Sequence, residues 1–186
     1  MALRSLEWLE EPISPYIAGD LRVKPASEAW ERRQYYALRQ AVFSEEQRLL
    51  AQDRDERDFR AIPIVALTHC CGEADRVVGA VRIYEQEPRL WYGGRLCVEP
   101  HYRRQGMLGK ALVNEAVSLA LALGCDRFLA TVQEQNETYF HRLHWRTLER
   151  IELLGRPHVL MQAELQRYPF MPRHVSLRAL RGARHD

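Results

Sequence analysis

Much of what would settle a chemistry at once is missing from this sequence. The cysteines, Cys70, Cys71, Cys97 and Cys125, form no C-x-x-C pair. A zinc site or a disulfide framework would show paired spacing, so reduced structural thiols are the expectation. No G-x-G-x-x-G occurs and no glycine-rich turn ends in Gly-Lys-Ser/Thr, which disfavours a dinucleotide fold and a P-loop NTPase. No apolar run approaches the roughly 18 to 20 residues that span a bilayer. The opening stretch from Met1 to Glu11 is interrupted by acids where a signal peptide has its apolar core, so a cytoplasmic protein with no membrane partner is expected. The net charge is only +2, too small for a protein that tracks nucleic-acid phosphates. Internal repeats and low-complexity linkers are absent as well.

What is there describes one ordinary folded domain. The 186 residues are 46% hydrophobic and 28% charged, enough for one well-buried core and short for two. Residues 1–165 read as that domain and 166–186 as a basic tail carrying Arg167, Arg173, Arg178, Arg181 and Arg184. Tyr16 to Val23 can form a first strand. Ser27 reads as a helix N-cap with Glu28 in the first turn, and Tyr35, Leu38 and Val42 follow at helical spacing. The run Asp53-Arg54-Asp55-Glu56-Arg57-Asp58 looks too charged to pack and reads as a solvated loop. Ala61 to His69, Arg76 to Tyr84 and Leu90 to Val98 are strand-like runs between turn residues. Leu108, Leu112, Ala116, Leu119, Ala120 and Leu123 then make one helical stripe, ended by Gly124 as a left-handed cap. Phe128, Ala130 and Val132 alternate in a strand that this crossover makes parallel to the preceding one. A short helix from about Asn136 to Leu143 follows. Ile151 to Leu154 and His158 to Ala163 flank Gly155-Arg156-Pro157 as a hairpin tip.

The chemistry is concentrated where the long helix begins. Pro100 stops the strand ending at Val98-Glu99, and the chain enters a helix whose first N–H groups have no intrahelical partner. Gly106 and Gly109 remove side chains there. The helix dipole and the cations Arg103, Arg104 and Lys110 favour a negative ligand, and a pyrophosphate suits the turn Arg103-Arg104-Gln105-Gly106-Met107-Leu108-Gly109-Lys110. A strand-to-helix turn with glycines used only for geometry is the plainer alternative.

The stretch Leu96-Cys97-Val98-Glu99-Pro100-His101-Tyr102-Arg103-Arg104-Gln105-Gly106, with the helix behind it, resembles the acyl-CoA signature of the GNAT N-acetyltransferases, Arg/Gln-x-x-Gly-x-Gly/Ala. Arg103 and Gly106 match it, Leu108 stands at the next small position, and Gly109 comes one residue late. Leu38 to Gln47 is similar to an early helical segment of many members, and Gly155-Arg156-Pro157-His158-Val159-Leu160-Met161 to a late strand of one branch. Gln133-Glu134-Gln135-Asn136 and Leu143-His144-Trp145 look most like the members that accompany nitrilase-type gene clusters.

The resemblance implies an α/β (α+β) GNAT fold. Its mixed, mostly antiparallel sheet would be flanked by helices and splayed between two parallel strands, Leu90 to Val98 and Arg127 to Val132. It implies acetyl-CoA as cosubstrate with no metal, and direct attack by a small-molecule primary amine. Backbone near Cys97 and Val98, together with Asn136, would then meet the pantetheine arm, and Arg103 to Lys110 the pyrophosphate. The family's tyrosine acid aligns with Phe140, which has no proton to give; Tyr139 is adjacent. For the base, His158, Glu45, Glu46 and Glu99 are candidates, each with a structural or solvated alternative. Asp53, Asp55, Glu56 and Asp58 could draw in a cationic amine. Trp91, Tyr92 and Trp145 line a pocket or fill the core. A non-catalytic acyl-CoA-binding module and a nucleotide-phosphate binder remain as alternatives, and exposed strand edges leave room for a homodimer.

Overall fold

Ile62, Ile64 and Ala66 alternate with Val65 and Leu67, and all five are fully buried. A strand apolar on both faces belongs in the middle of a sheet covered on both sides. In the computed structural model, which describes residues 21–103 and 106–169, this strand is β2 (Ile62–Cys70). It lies between β1 (Leu21–Pro25) and β3 (Glu73–Glu87), antiparallel to both. Next come β4 (Leu90–Val98), β5 (Arg127–Gln133), β7 (Arg156–Ala163) and β6 (Trp145–Leu153), giving a seven-stranded sheet in the order β1-β2-β3-β4-β5-β7-β6. Only β4 and β5 run parallel. The expected first strand is met from Leu21 onward; residues 16–20 lie outside the described part.

Helices cover the two faces. On one, α1 (Ala29–Gln40) and the π-helical turn Ala41–Glu46 that continues it bring Tyr35, Val42 and Phe43 against Val65, Leu67, Ala80 and Cys97. On the other, α2 (Met107–Ala122) sets Leu108, Leu112 and Ala116 over Ile62, Ile64, Val78 and Ile83. The predicted stripe is the buried face, with Leu123 partly buried beside it. Gly124 closes the helix at φ +89°. The approach of α2 to the sheet is close because β3 carries Gly79 under it: a Cβ there would sit 2.8 Å from Leu112 Cδ1.

Three local expectations are corrected. The N-cap of α1 is Glu28, not Ser27. The Glu31 carboxylate reaches back to accept from the backbone N–H of Ser27 (2.8 Å) and Glu28 (3.1 Å), while the Glu28 side chain accepts from the Glu31 N–H in the role expected of a serine hydroxyl, so the two form a capping box. The β6–β7 turn is the two-residue Leu154-Gly155, both at positive φ (+54° and +68°), so Arg156 and Pro157 belong to β7. Such a turn matches the strand twist and fixes the register. Finally, β3 is longer than its apolar core suggests, because Glu73 and Ala74 still pair with β2, past a register shift at Asp75.

At the C-terminal end, Tyr168 is buried. Its hydroxyl accepts from Trp145 Nε1 at 2.9 Å and donates to Leu143 O, so the first described residues of the basic segment dock on the core. The arginines from Arg173 onward lie outside the described residues. Among those described, no helix is long and apolar enough to cross a membrane, and no cluster of three or more His, Cys, Asp or Glu could hold a metal ion.

Candidate active site

The parallel pair is short. β4 meets β5 only from Leu90↔Arg127 to Gly93↔Ala130. Beyond that, Gly94, Cys97 and Val98 pair with β3 alone and Thr131 to Gln133 with β7 alone. Two features open the gap. The Phe128 ring crosses Gly93, where an added Cβ would lie 3.0 Å from Cε1. In addition, the β3–β4 register shifts between Ala80↔Cys97 and Arg82↔Gly94, with Arg95 at φ +55°. This is a bulge, and bulges bend the strand that carries them. The result is a cleft of about 320 Å³ that passes between the strands. Val113, Ala116, Asn136 and Phe140 line it on the α2 side, and Leu49, Leu50, Arg57, Arg82 and Tyr84 on the α1 side. Asn136 opens α3 (Glu137–Arg142), the short helix expected there. Tyr92 and Trp145 line the cleft, whereas Trp91 is a fully buried core residue.

The charged run Asp53 to Asp58 is not a solvated loop, which overturns the reading from composition. Asp53 is 1% exposed, Arg39 0% and Arg82 3%. Arg39 Nε pairs with Asp53 at 2.6 Å, and its Nη1 with Asp58 at 2.6 Å and the Tyr35 hydroxyl at 2.7 Å. Arg82 grips both Asp55 oxygens at 2.7 Å and reaches Asp58 at 3.0 Å. Arg95 Nε lies 2.8 Å from Asp53. Three carboxylates thus meet three guanidinium groups from α1, β3 and β4, and buried charges are tolerable only when paired in this way. Burial works to raise the Asp58 pKa, but the hydrogen bond and charge of Arg39 outweigh it and hold the carboxyl at about 2. The network fixes one wall of the cleft. Its aspartates face arginines rather than an incoming amine.

At the opening of α2, Gly106 has φ +60°, and Lys110 N is the donor that reaches back to Gly106 O, at 3.5 Å. A helix start of this kind presents N–H groups that its own turns do not use. Met107 is 72% exposed, while Leu108 is buried against the sheet. Gly109 is needed by the Tyr139 hydroxyl, which would stand 2.7 Å from a Cβ at that position. Lys110 is exposed. Arg103 turns away from the helix end: Nε donates to Val98 O at 2.8 Å, and both Nη groups grip the Glu46 carboxylate at 2.7 Å. It braces the end of β4 against the π-turn. Arg104 and Gln105 lie outside the described residues.

The proton-transfer candidates separate clearly. His158 is 7% exposed, pairs with Gln133 across β5–β7, and lines the cleft. Its Nδ1 is 2.9 Å from Arg156 O. A carbonyl can only accept, so Nδ1 is the donor in this contact, and Nε2 is the nitrogen left to exchange a proton. Glu45 is exposed on the π-turn, and Glu99 lies 3.3 Å from Arg76; neither lines the cleft. The Tyr139 hydroxyl is 3.4 Å from Gly106 O, and burial raises its pKa. Phe140 is buried edge-on to Trp145, with centroids 5.3 Å apart. Cys97 is buried and its thiol is pushed up to about 12, so it stays protonated and is no nucleophile. The π-turn and the arginine–aspartate network left no local sequence signal, because their partners are far apart along the chain.

Comparison with known proteins follows the same geometry. The sequence profile described as the acetyltransferase (GNAT) family matches residues 18–145. A search of curated proteins gave no match. Among solved structures, a Lactobacillus plantarum protein with a provisional N-acetyltransferase description superposes with a TM-score of 0.70 at 24% identity, over 78% of this chain and 98% of its own. An acyl-CoA N-acyltransferase from Pseudomonas aeruginosa gives 0.64 at 22% identity, over 77% and 98%. An aminoglycoside 6'-N-acetyltransferase complexed with coenzyme A gives 0.61 at 14%, over 82% and 98%. At these identities the likeness is one of fold.

Proposed function

Because the chain belongs to the acetyltransferase (GNAT) family, we propose that it transfers an acetyl group from acetyl-CoA to the primary amine of a small molecule in the cytoplasm, by direct attack of the amine. The carrying observation is that the gap between β4 and β5 lies beside the uncapped start of α2. Unpaired strand edges suit a pantetheine arm, and free helix N–H groups suit a pyrophosphate. The similar fold complexed with coenzyme A supports the same reading.

When bound, acetyl-CoA supplies the thioester; the chain supplies position and proton handling. Gly106 to Lys110, with Arg104 and Gln105, would hold the phosphates, Arg103 would brace the end of β4 through Glu46, and Cys97, Val98 and Asn136 would hold the arm. His158 is the proposed base, because it lines the cleft and a backbone carbonyl holds its Nδ1, leaving Nε2 for the proton. Tyr139 is the proposed acid: its hydroxyl borders the α2 turn and burial keeps it protonated. Glu45 and Glu99 are reserve candidates acting through water. The Gln133 to Asn136 and Leu143 to Trp145 segments carry the likeness to members accompanying nitrilase-type gene clusters into this reading.

Phe140, buried where the family has its acid, favours one second reading, a non-catalytic acyl-CoA-binding module. Calorimetric titration with acetyl-CoA, followed by thiol release over an amine panel, separates the two. Binding with release supports the enzyme and binding without release the module. No affinity for acetyl-CoA or CoA sinks both.

A further inference from the structure

The cleft's own lining says something about the acceptor. Arg57, Arg82 and Arg95 line it, and among the described residues no carboxylate does. Polyamine-like or otherwise cationic acceptors need the opposite sign. The charge behind the wall is balanced, since Asp53, Asp55 and Asp58 answer Arg39, Arg82 and Arg95. Arg57 is additional: its guanidinium lies 5.9 Å from the centre of the Tyr84 ring, with Arg82 at 5.7 Å and Arg60 at 5.5 Å. Tyr84 stacks on Tyr92, at 5.9 Å and 14°, so this end of the cleft is aromatic and net positive.

A second observation is independent of the charge count. Arg82 is 3% exposed, both its Nη groups are taken by aspartates, and its Nε–H has no hydrogen-bond partner. A buried donor left unpaired is costly and uncommon. That nitrogen faces Gly94, where an added Cβ would still stand 3.8 Å away. Gly94 pairs with Arg82 across β3–β4 and is the first β4 residue beyond the last β4–β5 pair, so the donor sits under the strand that borders the gap and is itself closed to solvent.

We propose that the acceptor is an aminocarboxylate, whose carboxylate is received by Arg57, with the charge of Arg82 behind it, while its amine faces His158. Leu49, Leu50, Leu153 and Leu154 at the same cleft favour an apolar side chain on it. The proposal rests on the acetyl-transfer reading for its kinetics but not for its binding.

The test uses matched acceptors with acetyl-CoA: L-leucine against isoamylamine, and L-phenylalanine against phenethylamine. In parallel, calorimetry compares N-acetyl-L-phenylalanine with its methyl ester on the CoA-saturated protein. The acids should exceed the amines in kcat/KM by about a hundredfold, and the ester should bind at least about tenfold more weakly than the acid, because a site built around a charged partner rejects the analogue lacking it. Arg57→Ala, at an exposed position, should narrow the acid-to-amine ratio several-fold, mainly through acceptor KM. Equal rates for acids and amines, or equal binding of acid and ester, overturn the subsite and leave acetyl transfer standing. Binding of the acid over the ester with no turnover of any amine keeps the subsite and removes the acetyl transfer.

Discussion

His158 and Tyr139 stand at different places, and their variants should fail differently. His158 lines the cleft with its Nδ1 held by a backbone carbonyl. His158→Gln should lower kcat/KM by about 10² to 10⁴, the usual worth of a positioned base, with acetyl-CoA affinity unchanged by calorimetry. Undiminished turnover removes His158 from the reaction. Tyr139 touches the α2 turn proposed for the cofactor instead, so Tyr139→Phe should lower kcat by about tenfold or more if the hydroxyl is the acid. Unchanged kcat with a raised KM for acetyl-CoA would make it a cofactor contact. Gly109 shows how far single letters could be read. Its offset from the family pattern is visible in the sequence, but its cause, a tyrosine hydroxyl from α3 resting on it, lies thirty residues downstream in the chain.

Among the elements, the arginine–aspartate wall sets the acid limit of stability. The Asp58 pKa is depressed in the fold, to about 2, and that of Asp55 is depressed as well. A depressed carboxyl contributes stability that is complete above its unfolded value, about 4, and is lost as pH falls through the folded value. Asp58 alone accounts for about 2 kcal/mol, so denaturant midpoints should fall between about pH 4 and pH 2 and stay flat above. Asp58→Asn should flatten that slope, and Asp53→Asn should destabilise by about 3 to 5 kcal/mol by leaving Arg39 and Arg95 short of a partner. A pH-independent midpoint over that range would argue against the pairing. The elements themselves were largely legible. β4 runs from Leu90 to Val98 as its residue pattern suggests, and α2 buries the stripe that its leucines mark. The 53–58 loop was not, because Arg39, Arg82 and Arg95 come from three separate elements and no local pattern announces that they converge. A run of alternating charge reads as a solvated surface unless its partners are known.

At the scale of the whole chain, the sheet has interior edges where β4 and β5 part, and the proposed cosubstrate would bridge them. Ligand binding to the native state alone stabilises it by about 2.7 kcal/mol at a hundredfold excess over Kd. For a protein of this size that corresponds to a rise of about 5 to 10 °C in Tm. Acetyl-CoA should produce that rise, and amide exchange should slow at Leu96 to Val98 and Thr131 to Gln133. Protection confined to α2 would place the ligand at the helix end only. Four residue pairs, ending at Gly93, are all that β4 and β5 share. That short seam acts as the spine of a book, and its length is an adjustable quantity. Adding one pair would narrow the gape and removing one would widen it, so lineages could retune the acyl group accepted without replacing a single reacting side chain.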